Sequence, residues 1–430
     1  MRPSRRPFLF LTLFTAAAAT VVATARNGSP GRGPGPEPLG AAGAACADAL
    51  ARFTTDLYLG VAEAASGENV VASPWSAWSA LASFATFCEG PTRHEIVRAL
   101  GFESGEIADE TLRAGRAELL ERMARADRHV TLDASQAAWI ERSLPLQDGA
   151  SAALRRSADV DLRRVDFRRG GEGAGEKIAA WIRRATGGGA RRSAVTYPPE
   201  TDLVLTDALF LHAHWLEPFQ ENKTWDGPFQ LLDGTEIRVP TMVHEFSHGT
   251  TGKKDPEFRA VRLFEDDEGA AATAVELPHR GQRTSLVVIV PDRMDGVFDV
   301  ERKLDVAALG AALDAETPRT IKVSLPRFSL RRDVDMEPVL RSLGIEAAFE
   351  GADLSRLFDD AEGDRTVGRV AHGAALDVDE HGVRAWAWTE WSVFAALPHS
   401  IEADRPFLVL VRERTSGAVL FLGRVLDPRS

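Results

Sequence analysis

Five consecutive residues, His244-Glu245-Phe246-Ser247-His248, have the types and spacing of a zinc site with its own general base. On a helix, both histidines would project from one face toward a metal, and Glu245 would activate a metal-bound water for peptide hydrolysis. The neighbouring residues do not supply that helix. Pro240 lies just before, Gly249-Thr250-Thr251-Gly252 follows at once, and Thr251 and Lys254 stand where the longer form of the motif needs Gly and His. Zinc proteolysis is therefore a distant alternative, and no metal, cofactor or catalytic residue is expected. No GxSxG-type nucleophile signature is present, and a Ser-His-Asp triad is recognised by geometry rather than by sequence position. His212 and His214 alternate with apolar residues in Leu203–Trp215, the pattern of core or rim histidines in a strand. The two cysteines, Cys46 and Cys88, fit either one disulfide or two inert thiols.

The elements that carry these residues are those of a large mixed fold. At 430 residues, with 44% hydrophobic and 27% charged residues, the chain is long enough for a substantial core and ordinary for a globular protein. A formal net charge of −12 argues against nucleic acid or an anionic membrane surface as partner. Residues 1–25 carry Arg2, Arg5 and Arg6, an apolar run from Pro7 to Val22 and a small-residue cleavage site at Ala23-Thr24-Ala25, the pattern of an export signal. Ser4-Arg5-Arg6-Pro7-Phe8-Leu9 also resembles the twin-arginine signal, the alternative being a Sec signal that contains two arginines. Residues 26–45 are rich in Gly and Pro and read as a linker, so the folded domain is expected over 46–430.

Leu50, Phe53, Leu57 and Val61 share one face of a helix from about Ala47 to Ala65. Ser73 and Pro74 open a second helix, and Thr92-x-x-Glu95 reads as a capping box for a third that stops at Gly101. A fourth helix is expected over Glu110–Ala126, a short one over Lys177–Ala185 after a Gly-rich turn at 170–175, and one over Val334–Leu343 stopped by Gly344. Strand patterns cover Val130–Ile140, Leu203–Trp215, Ala271–Leu277, Ser285–Val290, Ile321–Leu325 and Leu408–Val411, with a hairpin over Thr415-Ser416-Gly417. Strands and helices without a regular βαβ alternation indicate an α+β protein in one domain.

One stretch departs from this order. Residues 369–379 alternate as a strand, and the period of two continues beyond them into a segment with no helix cap at either end. There Val383, Ala385, Ala387 and Thr389 fall on one face, and Arg384, Trp386, Trp388 and Glu390 on the other. Such a segment, patterned as a strand but placed as a connection, is a strand held in reserve. Here the chain resembles the serpins: Glu380-x-Gly382-Val383-Arg384-Ala385 is similar to the hinge of their reactive-centre loop. Ala403-Asp404-Arg405-Pro406-Phe407, Phe421-Leu422-Gly423-Arg424-Val425 and Pro428 are similar to the family's C-terminal signature, and Asn69–Ser76 to the opening of its second helix.

The resemblance implies an α+β serpin fold of about three sheets and eight to nine helices with a reactive-centre loop near 380–403, in an exported member of bacterial type. It implies a protein that is not an enzyme but traps serine proteases, and in some members cysteine proteases, as acyl-enzymes when the cleaved loop inserts into the main sheet; a non-inhibitory binder or carrier is the alternative. By position, the hinge comprises Glu380, Gly382, Val383, Arg384, Ala385, Ala387 and Thr389. The scissile bond falls at Ala396-Leu397, within one or two residues, and Val393, Phe394, Ala395 and Pro398 would touch the protease. These apolar residues, with no Lys or Arg between Trp386 and Ile401, point to elastase-, chymotrypsin- or subtilisin-like endopeptidases. The expected protein is a monomer without nucleic-acid or membrane partners once the leader is removed. Ser73, Ser76, Asp207, Trp215, Arg327 and His372 match positions that control the sheet. Asp207 stands where the family usually has Asn, so its carboxylate would need a protonated His372 or another donor. Glu380 would face Arg327 as a surface pair worth only ~0.2–1 kcal/mol. Trp391 shares the inward parity and would hinder insertion.

Overall fold

The computed structural model describes residues 8–15, 38–124, 130–150, 160–186, 196–244, 258–264, 271–359, 365–383 and 400–429. Their strands, in chain order, are β1 (Phe8–Thr15), β2 (Val70–Ala72), β3 (Val130–Glu141), β4 (Val160–Val165), β5 (Thr201–His214), β6 (Trp225–Gln230), β7 (Glu236–His244), β8 (Arg259–Leu263) and β9 (Ala272–Pro278). The series continues with β10 (Thr284–Pro291), β11 (Lys322–Pro326), β12 (Phe328–Asp335), β13 (Thr366–Val378), β14 (Gly382–Val383), β15 (Ser400–Glu402), β16 (Phe407–Glu413) and β17 (Val419–Val425). The α-helices are α1 (Ala41–Ala64), α2 (Pro74–Ala85), α3 (Gly90–Ala99), α4 (Asp109–Ala124), α5 (Phe167–Ala185), α6 (Val297–Lys303), α7 (Val306–Ala315), α8 (Glu337–Ser342) and α9 (Ala347–Gly351).

These strands form three sheets. The main sheet has the order β12-β13-β1-β5-β3-β4, with β14 pairing with β5 outside that path; the others run β2-β17-β16-β10-β9-β8 and β15-β11-β7-β6. The chain divides into two compact units, one of Met1–Leu50, Ser76–Leu211 and Leu340–Ala371, the other of Ala51–Trp75, His212–Val339 and His372–Ser430. In the first, α5 lays Phe167, Ala174, Ile178, Trp181 and Ile182 on Trp139, Tyr197, Val204 and Ala208. In the second, β10 and β16 are buried along their whole length, as strands with both faces covered must be.

Most expected elements occur within a few residues of their predicted limits, and the differences have local causes. The Gly-rich stretch at 170–175 is helical: α5 begins at Phe167, where the Asp166 carboxylate accepts the Arg169 backbone N–H at 2.9 Å. Its glycines each weaken a helix by about 0.5–1 kcal/mol, but the face spaced at 174, 178, 181 and 182 is buried, and packing outweighs propensity. Thr92 and Glu95 do not form a capping box. They lie inside α3, whose N-cap is Glu89; Thr92 Oγ1 accepts the Asp353 N–H at 3.2 Å, and Glu95 Oε2 accepts those of Glu346 and Ala347 at 2.8 and 2.7 Å. The helix expected from Val334 starts only at Glu337, because β12 runs on to Asp335. Cys46 and Cys88 are separate buried thiols. Burial pushes the Cys46 thiol up to about 12 and that of Cys88 higher still, which makes both inert. Within the segment expected as a leader, Phe8–Thr15 pair in parallel with β5, from Phe8 opposite Thr201 to Thr15 opposite Leu209. An apolar run rich in Phe, Leu and Thr meets the demands of a strand as well as those of a leader.

Candidate functional site

β13 ends at Val378, and the chain reverses over Asp379–Gly382 before β14 pairs antiparallel with the end of β5, Gly382 opposite His214 and Val383 opposite Ala213. Asp379 Oδ1 accepts the His381 N–H at 2.9 Å and closes the turn. Gly382 has φ +140°, and a Cβ there would lie 2.2 Å from the Ala213 carbonyl oxygen, so no other residue fits. Trp215 anchors the reversal. Its indole N–H donates to the Asp379 carbonyl at 2.8 Å and its backbone N–H to that of His381 at 3.0 Å, while its ring stacks on His279 at 5.2 Å.

Between these residues Glu380 turns inward. Its Oε1 accepts from Arg327 Nε at 2.7 Å and from the Thr224 hydroxyl, and its side chain is only 2% exposed. The expected surface pair is thus corrected: the carboxylate end is buried, although the Arg327 side chain is 45% exposed. The weak energies of solvent-exposed pairs do not apply to an acid held in this way.

A second buried carboxylate sits further along β5. Asp207, 2% exposed, accepts from the Ser76 hydroxyl of α2 through Oδ1 and from Gln136 Nε2 of β3 at 2.7 Å through Oδ2. Gln136 is itself fixed: Nε2 also donates to Ser79 Oγ, and Oε1 accepts from Ser83 Oγ at 2.7 Å and Arg116 Nη1 at 3.0 Å. Burial pushes the Asp207 carboxyl up to about 7, against the opposing pull of Ser76, Gln136 and the Arg116 cation. The donor Asp207 requires is therefore the pair Ser76 and Gln136, not a protonated His372. His372 is buried and accepts the Ser73 N–H through Nε2 at 2.9 Å, which places its ring proton on Nδ1. Burial lowers its pKa to about 4, so the ring is neutral at physiological pH. Ser73 Oγ donates to the Leu420 carbonyl at 2.7 Å.

Several participants escaped sequence reading. Gln136 lies in the alternating run of β3, and its inward parity was the available signal; Arg116 and Thr224 carried none. Arg384, Ala385, Ala387, Thr389, Trp386, Trp388 and Trp391 lie outside the described residues. So do Val393, Phe394, Ala395, Ala396, Leu397 and Pro398. Of the zinc-like motif only His244 is described. It ends a strand, paired with Val323, and packs edge-on against Phe219 and Phe258. A strand does not give the helical i, i+4 projection that the metal reading needs. Among the described residues no cluster of three metal-ligating side chains occurs.

Comparison with known proteins agrees with this geometry. The chain is 30% identical over 371 residues to a serine protease inhibitor of Cyanea capillata, covering 84% of this chain and 93% of that protein. It is 29% identical over 389 residues to the leukocyte elastase inhibitor of Bos taurus, covering 88% and 98%. Among solved structures, human thyroxine-binding globulin in complex with thyroxine superposes with a TM-score of 0.77 at 23% identity, covering 90% of this chain and 100% of that one. Serpin48 of the insect Tenebrio molitor, a highly specific serpin, gives 0.74 at 25% identity, covering 89% and 98%. The family model described as Serpin (serine protease inhibitor) matches residues 48–428, nearly all of the folded chain, and the chain belongs to the serpin family.

Proposed function

We propose that the chain is a suicide-substrate inhibitor of secreted serine endopeptidases with elastase-, chymotrypsin- or subtilisin-like pockets, and that it acts as a monomer without enzymatic activity of its own. The observation that carries the reading is β14: the two residues that lead into the loop are already paired antiparallel with the end of β5. Cleavage of the loop would let this pairing run on down the strand. On the order of ten added ladder bonds at ~1 kcal/mol net each would release ~10 kcal/mol, comparable with the whole stability of a typical domain. The strip beside Thr201–Leu209 that such an insertion would use is the one β1 holds. The competent inhibitor is therefore the chain without its leader, beginning near Arg26. Export rests on that leader alone, and the animal relatives give a bacterial origin no support.

Continuing the β14 register would bring Thr389 beside Asp207 and Trp391 beside Leu205, on the same face of the sheet. Leu205 is 5% exposed, so an indole there would overpack the space. This observation favours a second reading, a non-inhibitory serpin that binds rather than traps. The test is to mix the chain from Arg26 onward with elastase, chymotrypsin and subtilisin, follow denaturing gels, and melt the chain before and after cleavage. An SDS-resistant adduct with a large rise in melting temperature is expected. Cleavage with neither adduct nor stabilisation would sink the inhibitor reading, and recovery of both in Trp391→Ala would identify the block.

A further inference from the structure

Away from the hinge, the first unit contains a cavity of about 500 Å³ between α5 and the edge of the main sheet, lined by Trp139, Arg163, Arg164, Val165, Lys177, Ala180 and Arg184. Four of its seven lining residues are cations and none is an acid, in a chain whose net charge is −12. Repulsion among like charges disfavours such a grouping unless something negative offsets it. Among the described residues only one of the four is offset: Arg163 pairs with Asp161 at 2.5 Å and lies over the Trp139 ring at 5.2 Å. Arg164 Nη1 donates to two neutral carbonyls, of Glu141 at 3.0 Å and Leu144 at 2.7 Å, which fix the guanidinium without neutralising it and leave its Nε and Nη2 outside those bonds. Lys177 and Arg184 make no ion pair among the described residues.

The placement is built rather than incidental. Lys177, Ala180 and Arg184 are spaced i, i+3, i+7 along α5, so the two cations flank a small residue on one face of the helix. Beneath them Trp139 is held by its indole N–H on Thr206 Oγ1 at 3.0 Å and by edge-on contact with Trp181. The cavity is larger than a bare inorganic anion and falls within the range of small-molecule sites. A guanidinium fixed in orientation, as that of Arg164 is, suits the tetrahedral oxygens of a sulfate or phosphate ester.

We propose that this cavity binds a small anionic ester, a sulfated or phosphorylated molecule of about one sugar ring, with its charged group between Arg164, Lys177 and Arg184. Titration calorimetry of the leaderless chain with glucosamine 6-sulfate, glucose 6-phosphate and glucose, at 20 mM and 150 mM salt, tests it. Binding of either ester is expected, weaker at the higher salt, with glucose silent; the ester preferred tells whether the source is a sulfated saccharide or a phosphorylated metabolite. Lys177→Ala and Arg184→Ala, both at exposed positions, should each weaken binding at least fivefold with unchanged melting temperature. Glu172→Ala, on α5 but outside the cavity, should leave it unaltered. Equal affinity for glucose, absence of binding at millimolar ester, or affinity unchanged in both alanine variants would overturn the proposal.

Discussion

Asp207 and Glu276 are carboxylates buried to the same degree, 2% and 1% exposed, yet their acidities move in opposite directions. Asp207 meets neutral donors, a hydroxyl and an amide, with the Arg116 cation one residue further away, and burial pushes it up to about 7. Glu276 is also penalised by burial but touches Arg412 Nε at 3.0 Å, Arg414 Nε at 3.2 Å and Ser285 Oγ at 2.8 Å, and is held below the usual carboxylate range. What decides the charge of a buried acid is whether its hydrogen-bond partners carry charge of their own. In this chain the acid of the second sheet is locked ionised, while the acid beside the proposed insertion path is poised between two states.

The largest effect is expected where that lock is broken. Arg412 is 3% exposed and also reaches Asp314 at 2.6 Å, so Arg412→Met leaves a buried carboxylate short of its main cation. A loss of about 3–5 kcal/mol in urea unfolding is expected, with most of it recovered in Arg412→Met combined with Glu276→Leu. If the double variant were no better than the single one, packing rather than charge would account for the loss.

Asp207→Asn comes next, with an effect whose size depends on pH. Below about pH 4 the acid is protonated in folded and unfolded chains alike, so it contributes no pH dependence there. From about 4 to about 7 only the unfolded chain releases the proton, so wild-type stability falls as pH rises, and the deficit is complete above 7. His372, His244 and His279 have the opposite slope. Burial lowers them to about 4, about 4 and about 3, so the unfolded chain takes up protons first, and stability is lost as pH falls below about 6.5. The two trends offset one another in the wild type. Asp207→Asn has no proton to release; its one oxygen can accept from Gln136 Nε2 while its NH2 donates to the Ser76 hydroxyl, which turns acceptor. The variant should match the wild type near pH 4 and exceed it by a few kcal/mol at pH 8, with melting temperature rising steadily in between. Parallel profiles for the two proteins from pH 4 to 8 would show that Asp207 is ionised throughout.

The contrast also marks what could be read in advance. The strands around Asp207 and Glu276 were legible because apolar alternation is local, as in Leu203–Trp215, and the helix opening at Pro74 was legible from its cap. The identity of the partners was not, because Gln136 meets Asp207 across 71 residues and Arg412 meets Glu276 across 136. Thr92 and Glu95 show the reverse error: their spacing suggested a mutual cap, but each serves a backbone N–H more than 250 residues away. The start of α5 is hidden for another reason: its glycines lower local helix propensity, and the burial of Ala174 and Ile178 that outweighs this is a tertiary property.

The smallest expected effect lies at the hinge, in a carboxylate that stands between the other two. Glu380 is buried like Asp207 but touches a guanidinium like Glu276, and the Arg327 side chain that carries it is 45% exposed to water. Glu380→Gln keeps the shape and an acceptor for Arg327 and Thr224 while removing the charge. The loss should therefore exceed that of an exposed pair and fall short of a fully buried one, about 1–2 kcal/mol in the uncleaved chain. Salt distinguishes the two limits, because the Debye length at 1 M is about 3 Å and exposed pairs are then screened while buried contacts persist. If the difference between Glu380→Gln and wild type vanished at 1 M salt, Glu380 would behave as a surface acid. If most of it survived, the buried oxygen, shared between Arg327 and Thr224, is what holds the turn that leads into β14.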